Sequence, residues 1–208
     1  MKDVLQYFGN TPAYSAAIAS LYPDLSGRNQ KIAALEKSGS IIKLKRGLYV
    51  IAPEISGKRL STELIANHIY SPSYVSMLTA LRWYGLIPER VSITQSMTIK
   101  HTRKFTNRLG HFEYTYTDPK AFPIGLRSET DCDISFIIAS PEKALCDLIA
   151  NTSGVNLRYL SETQGYLQDY LRLDMDEFRR FDLSILEQYA QYGKKRTSIE
   201  TLIRLLKR

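Results

Sequence analysis

The spacing of apolar residues predicts an α+β protein in two parts. The first is a small N-terminal unit of helices closed by a β-hairpin. The second is a mixed α+β domain with a small sheet and a helical C-terminal tail. Three observations carry this: helical spacing through the first forty residues, strand-like alternation in the middle of the chain, and a return to helical spacing after Ser140.

In order, Val4, Leu5 and Phe8 predict a short opening helix that stops near Gly9-Asn10. Pro12 stands at a helix start, and Ala16, Ala17, Ile18 and Leu21 continue its apolar face until Pro23. Ser26 is expected to cap a third helix, with Ile32 and Leu35 facing inward and Gly39 as its stop. Residues 41–45 and 48–51, joined by Arg46-Gly47, read as a β-hairpin with a basic tip. Pro53 through Lys58 is a candidate linker, which puts the domains at residues 1–52 and 58–208.

Beyond the linker, Ser61 caps a helix reaching about His68, and Ser73 opens another containing Val75, Leu78 and Leu81, ending at Gly85. Alternation then predicts strands around 91–99, 112–116 and 133–138, with a weaker one at 122–126. Ser140-Pro141-Glu142 has the N-cap and first-turn proline of a helix start, with Cys146 on its apolar stripe as core. In the tail, Ser161 with Gln164 and Thr197 with Glu200 match the capping-box pattern. Ile199, Leu202, Ile203 and Leu206 form the last apolar stripe.

Composition narrows the class. Of 208 residues, 44% are hydrophobic and 24% charged, which excludes global disorder. No apolar run approaches the ~20 residues of a membrane span, and the N-terminus lacks the apolar core of a signal peptide. Two cysteines make no disulfide framework, so a reducing, cytoplasmic setting is expected. His68, His101 and His111 lack ligand spacing, so neither metal nor cofactor is expected. The formal charge is +7, concentrated in the first half of the chain, and nucleic acid is the first partner it suggests.

Three short helices followed by a basic-tipped hairpin is the layout of a winged helix-turn-helix, whose third helix enters the major groove of double-stranded DNA. On that helix Ser26, Arg28, Asn29, Gln30, Lys31 and Lys37 are the candidate contacts. Gln30 and Asn29 suit adenine, and Lys31 and Lys37 suit phosphates. In the wing, Lys43 and Lys45 are expected on one strand face, with Arg46 at the turn.

A second basic surface comprises Lys100, His101, Arg103, Lys104 and Arg108, which could grip a phosphate backbone or simply be a solvated loop. Tyr114 and Tyr116 alternate on one strand, as a packed sheet face or a stacking platform. Asp118-Pro119-Lys120 and the pair Asp131 and Asp133 are the nearest approach to a nuclease-like cluster. No phosphate loop, nucleophile elbow or zinc-protease motif accompanies them, and no catalytic residue is assigned.

Several blocks together resemble the AbiEi antitoxin family: Ala80 through Glu89, Ser96-Met97-Thr98 with Lys100 to Lys104, Ser140 through Asp147, and the hairpin Leu44 to Tyr49. The resemblance runs in order from about Tyr7 to the final helices. It implies a DNA-binding N-terminal domain that represses its own operon at promoter repeats. It also implies a C-terminal domain that opposes a nucleotidyltransferase toxin, in a type IV toxin–antitoxin and abortive-infection system, without a stable complex. The residues leave two alternatives open: an RNA- or nucleotide-handling enzyme using residues 92–143, and a winged-helix protein-docking adaptor.

Overall fold

The computed structural model describes residues 4–22, 27–89 and 91–208. Val4–Phe8 is a 3₁₀ turn. Strand β1 (Ala13–Tyr14), helix α1 (Ser15–Ala19), helix α2 (Arg28–Lys37) and the hairpin β2 (Ile41–Lys45) and β3 (Leu48–Ile51) follow. The three strands form an antiparallel sheet in the order β1-β3-β2.

The helix expected from Pro12 therefore starts later, because Ala13 and Tyr14 pair with Tyr49 and Leu48, partners no local pattern reveals. The cap expected at Ser26 lies outside the described residues; Gly27 holds the capping position without a side-chain bond. Gly39 ends α2 with φ +78°, a conformation costly for any residue with a Cβ. The expected linker is instead a single helical turn, α3 (Pro53–Ser56), opened by Pro53 and following directly on the hairpin.

Ser61 caps α4 (Thr62–Ile69) as expected, its Oγ accepting from the Leu64 N–H at 3.1 Å. Strand β4 (Ser73–Val75) comes next, where helix was expected, and α5 (Met77–Trp83) begins four residues later than the sequence suggests. The reason is tertiary: β4 hydrogen-bonds on both flanks, and Tyr74 and Val75 suit a buried strand better than a helix start.

Strands β5 (Ile93–Thr98), β6 (Arg103–Asn107), β7 (Gly110–Tyr116), β8 (Leu126–Asp131) and β9 (Ile134–Ala139) complete a six-stranded mixed sheet, ordered β6-β7-β5-β4-β9-β8. β4 and β9 run parallel, as do β5 and β7; the remaining pairs are antiparallel. The weak strand expected at 122–126 is displaced to β8, and β6 stands where the sequence alone suggests a loop. Because β4 is so short, β9 has an open flank. The Asn67 amide covers it, donating to the Ile137 carbonyl at 3.1 Å and accepting from its N–H at 2.6 Å.

The tail is helical: α6 (Pro141–Asn151), α7 (Leu160–Gly165) continued by a π-helical turn, α8 (Met175–Phe178), α9 (Leu183–Tyr192) and α10 (Arg196–Leu206). Neither capping box forms. Tyr159 and Lys195 hold the cap positions, so Ser161 and Thr197 fall inside their helices. For α10 the start is set from outside, since Lys195 Nζ donates to the carbonyls of Ile149, Thr152 and Val155. Among the described residues, no helix is long and apolar enough to cross a membrane.

Two apolar cores result, and the hairpin serves both. Ile41, Tyr49 and Ile51 close the smaller core with Leu5, Ile18, Ile32 and Leu35. Leu44, Leu48 and Val50, on the opposite face, enter the larger core with α4, the six-stranded sheet and the tail helices. The hairpin is thus a wall between two cores.

Candidate nucleic-acid interface

Helix α2 is held from beneath by Ile32 and Leu35, both buried in the smaller core. The helical period then turns Asn29, Gln30, Ala33, Ala34 and Lys37 outward, and all five are exposed. Lys31 is on the flank, half-buried, with its ammonium 4.6 Å from the centre of the Tyr22 ring. Arg28 is the first residue of the helix. Ser26 lies outside the described residues.

Lys43 and Lys45 do not share a face. Lys43 stands opposite Tyr49 but Lys45 stands opposite Leu48, so a β-bulge interrupts the alternation between them. Lys43 stays on the α2 side, exposed, with Nζ 3.8 Å from Glu36 Oε1. Lys45 turns toward the larger core and donates to the Ile69 carbonyl at 2.5 Å. That carbonyl belongs to the last turn of α4, where unpaired backbone oxygens and the helix dipole favour a cation. Burial holds the Lys45 ammonium below the ordinary lysine range, and the charges of Lys100 and Arg103 depress it further. Arg46, at the turn, is exposed.

Residues 100–108 do not form one surface either. They include strand β6, whose alternation sends Arg103 and Phe105 to one side and Lys104 to the other. Lys104 Nζ lies 2.6 Å from Glu113, its register partner on β7. The Arg103 guanidinium stands 5.1 Å from the centre of the Phe105 ring and 6.0 Å from that of Tyr70. Lys100 donates to the Ser71 carbonyl and lies 5.4 Å from the same Tyr70 ring. His101 is exposed between β5 and β6. Arg108 sits past the far end of β6, in a cleft shared with Glu36 and Lys43 of the N-terminal unit.

The fold gathers two of the three wing cations and two of the five residues of the second basic surface into one place. Lys45 and Arg46 from the hairpin meet Lys100 and Arg103 around a cleft of about 380 Å³, with Tyr14 and His68 also in its wall. Among the described residues, no Asp or Glu lines it. The sequence held one clue to this meeting: Leu48-Tyr49-Val50-Ile51 is apolar on both faces, which marks a strand covered on both sides.

A buried polar centre on α6 escaped the sequence reading altogether. Asp147 has no solvent exposure and accepts from Tyr74 Oη at 3.0 Å, Ser76 Oγ at 2.8 Å and Tyr189 Oη at 2.9 Å. Lys143, one turn earlier and equally buried, donates to the Ala121 carbonyl at 2.8 Å. Ser140 caps the helix and Cys146 is fully buried, both as expected. Of the acids weighed for nuclease chemistry, Asp131 is ion-paired with Arg59, and Asp118 accepts from the Lys120 N–H in its own turn. Tyr114 is buried with its hydroxyl on the Ala66 carbonyl at 2.6 Å, while Tyr116 is exposed.

No protein-family model matches the chain, and no curated protein matches it.

Proposed function

We propose that residues 1–52 are a winged helix-turn-helix that binds double-stranded DNA, and that the chain is a cytoplasmic transcriptional regulator and antitoxin. In this reading it represses its own operon, and residues 58–208 counteract a nucleotidyltransferase toxin without a stable complex. The observation that carries the DNA-binding half is the outward face of α2. Asn29, Gln30 and Lys37 stand there beside Ala33 and Ala34, whose small side chains let the helix approach a groove closely. The order helix, β1, α1, α2, β2, β3 and the sheet order β1-β3-β2 agree with a winged helix. The antitoxin half rests on the resemblance to the AbiEi family.

The wing of this reading is narrower than the sequence alone suggested. Arg46 remains available to phosphates and Lys43 is exposed beside Glu36, whereas Lys45 is engaged at the end of α4. Gel-shift titration of the chain against its own upstream DNA tests the proposal. Gln30→Ala should change base preference, and Arg46→Ala should weaken binding to all sequences and lower the salt slope by about one. Affinity no higher than for unrelated DNA would end the regulator reading. Failure to neutralise the toxin of a neighbouring nucleotidyltransferase gene would end the antitoxin reading.

A further inference from the structure

We infer that the cleft between the hairpin turn and the β5–β6 connection is a small-molecule site that takes a nucleoside phosphate, its phosphate among Lys45, Arg46, Lys100 and Arg103 and its base against Tyr14. This goes beyond the DNA-binding reading, which uses the face of α2 and shares only Arg46 of the wing with this cleft.

The first argument is charge. Four cations converge on a cleft of about 380 Å³ with no carboxylate in its wall among the described residues. Several exposed cations elsewhere stand beside acids, as Lys43 does with Glu36, Lys104 with Glu113 and Arg172 with Glu89. Like charges held together repel, and an anion between them removes that penalty. Lys45 and Lys100 are each fixed by one backbone carbonyl, of Ile69 and of Ser71, which aims the two ammonium groups while leaving each with two further protons to donate. The Arg103 side chain lies against the Phe105 and Tyr70 rings, so its fork is positioned before any ligand arrives.

Shape supplies the second argument. The cleft adjoins a cavity of about 700 Å³, and Tyr14, His68 and Ser71 line both. The larger space is walled mainly by apolar side chains, among them Leu48, Leu64, Phe122 and Phe136. A cationic end opening into an apolar chamber fits a ligand with an anionic head and a flat, weakly polar body. Tyr14, 61% exposed at the junction, presents a ring on which a base can stack beside its own phosphate. His68 contributes a polar edge. Its Nδ1 donates to the Leu64 carbonyl at 2.9 Å, which leaves Nε2 as an acceptor in the neutral ring.

The ligand would also act on the fold. Lys45 and Arg46 belong to the N-terminal sheet, Lys100 and Arg103 to the region around the six-stranded one, so a phosphate between them ties the two together.

Thermal-shift and calorimetric titrations of the purified full-length chain test this, using AMP, GMP, CMP and UMP, inorganic phosphate, dodecyl phosphate and a short DNA duplex. Nucleoside monophosphates should raise Tm with concentration, more than inorganic phosphate at the same level. Arg103→Ala, an exposed position, should weaken the nucleotides at least ~tenfold while circular dichroism stays unchanged. Tyr14→Ala should remove the advantage of nucleotide over inorganic phosphate and leave the phosphate effect. The inference is overturned by the absence of any nucleotide shift at millimolar concentration, or by a shift that Arg103→Ala leaves intact. It is also overturned if dodecyl phosphate binds better than every nucleotide, or if Arg103→Ala weakens only the duplex. Operator binding through α2 is read separately by Gln30→Ala, so the two proposals can fail independently.

Discussion

Lys143 and Asp147 lie one helical turn apart at the centre of the larger core, Nζ to Oδ1 3.8 Å, and neither has any solvent exposure. Burial pushes the Asp147 carboxyl up and the Lys143 ammonium down from their ordinary ranges, against the mutual attraction that opposes both shifts. The three hydroxyls on Asp147 and the Ala121 carbonyl on Lys143 are what make charge tolerable there.

Asp147→Ala should therefore cost about 3–5 kcal/mol in urea denaturation, since it strands a buried cation and three buried hydroxyls. Lys143→Met should cost less, because Asp147 keeps its three donors and can take up a proton. A carboxyl with a raised folded pKa contributes its full stability at low pH and loses it as pH climbs through the folded value. The deficit of Lys143→Met relative to wild type should thus shrink on acidification. Equal costs for the two variants, constant with pH, would contradict this account.

The same centre predicts an alkaline limit. Burial, the dominant effect, pushes the phenols of Tyr74, Tyr114 and Tyr189 upward, and the Asp147 charge adds to it for Tyr74 and Tyr189. Each phenol holds its proton longer folded than unfolded. Their stability is therefore whole below the ordinary tyrosine value of about 10 and is lost as pH rises above it. Tyrosinate absorbance across an alkaline pH series measures this. The buried three should appear only together with loss of circular dichroism, and complete ionisation of a still-folded chain would refute the assignment.

What was legible in the sequence was whatever local spacing determines. Ile32 and Leu35 as the inner edge of α2, the Ser140 cap and the Ile199-Leu202-Ile203 stripe each follow from one turn of helix and were readable without a partner. What was not legible depends on pairing at a distance. Ser73–Val75 reads as a helix start until β5 and β9 flank it. Lys43 and Lys45 read as one face until the register with Tyr49 and Leu48 slips. The candidate site suffers most from this. Its cations come from two separate sequence clusters, and the bulge decides which of them reach the cleft. Asp147 was hidden for another reason: an aspartate one turn after a lysine looks like a surface pair until both are found buried.

If α2 and the hairpin do bind DNA, Glu36 opposes that binding. Its carboxylate is half-buried on α2, 3.8 Å from Lys43, and the Tyr49 phenol is raised by burial and then by the Glu36 charge. Glu36→Gln frees Lys43 and removes a negative charge from the proposed interface. Affinity should increase for all sequences alike, and the dependence of log K on log salt should steepen by about 0.9, the value of one further phosphate contact. Gel shifts across a salt series measure it; unchanged affinity and slope would place Lys43 away from the phosphates.

Gly193 gives a test of the buried centre from the outside. It ends α9 with φ −85°, an ordinary conformation for any residue, so space and not backbone freedom is what demands glycine. A Cβ there would fall 2.1 Å from Cε1 of Tyr189, the ring whose hydroxyl reaches Asp147 Oδ1 at 2.9 Å. Gly193→Ala must push the ring aside or shift the end of α9. Overpacking of this kind costs about 1–3 kcal/mol, and a lost hydrogen bond to a charged group adds about 1.5–3. Tyr189→Phe separates the two, since it removes the hydroxyl and keeps the ring. Tyr189→Ala removes the clashing atoms, so Gly193→Ala should cost much less in that background than in wild type. Additive costs in this double-mutant cycle would show that the glycine is not required by the Tyr189 ring.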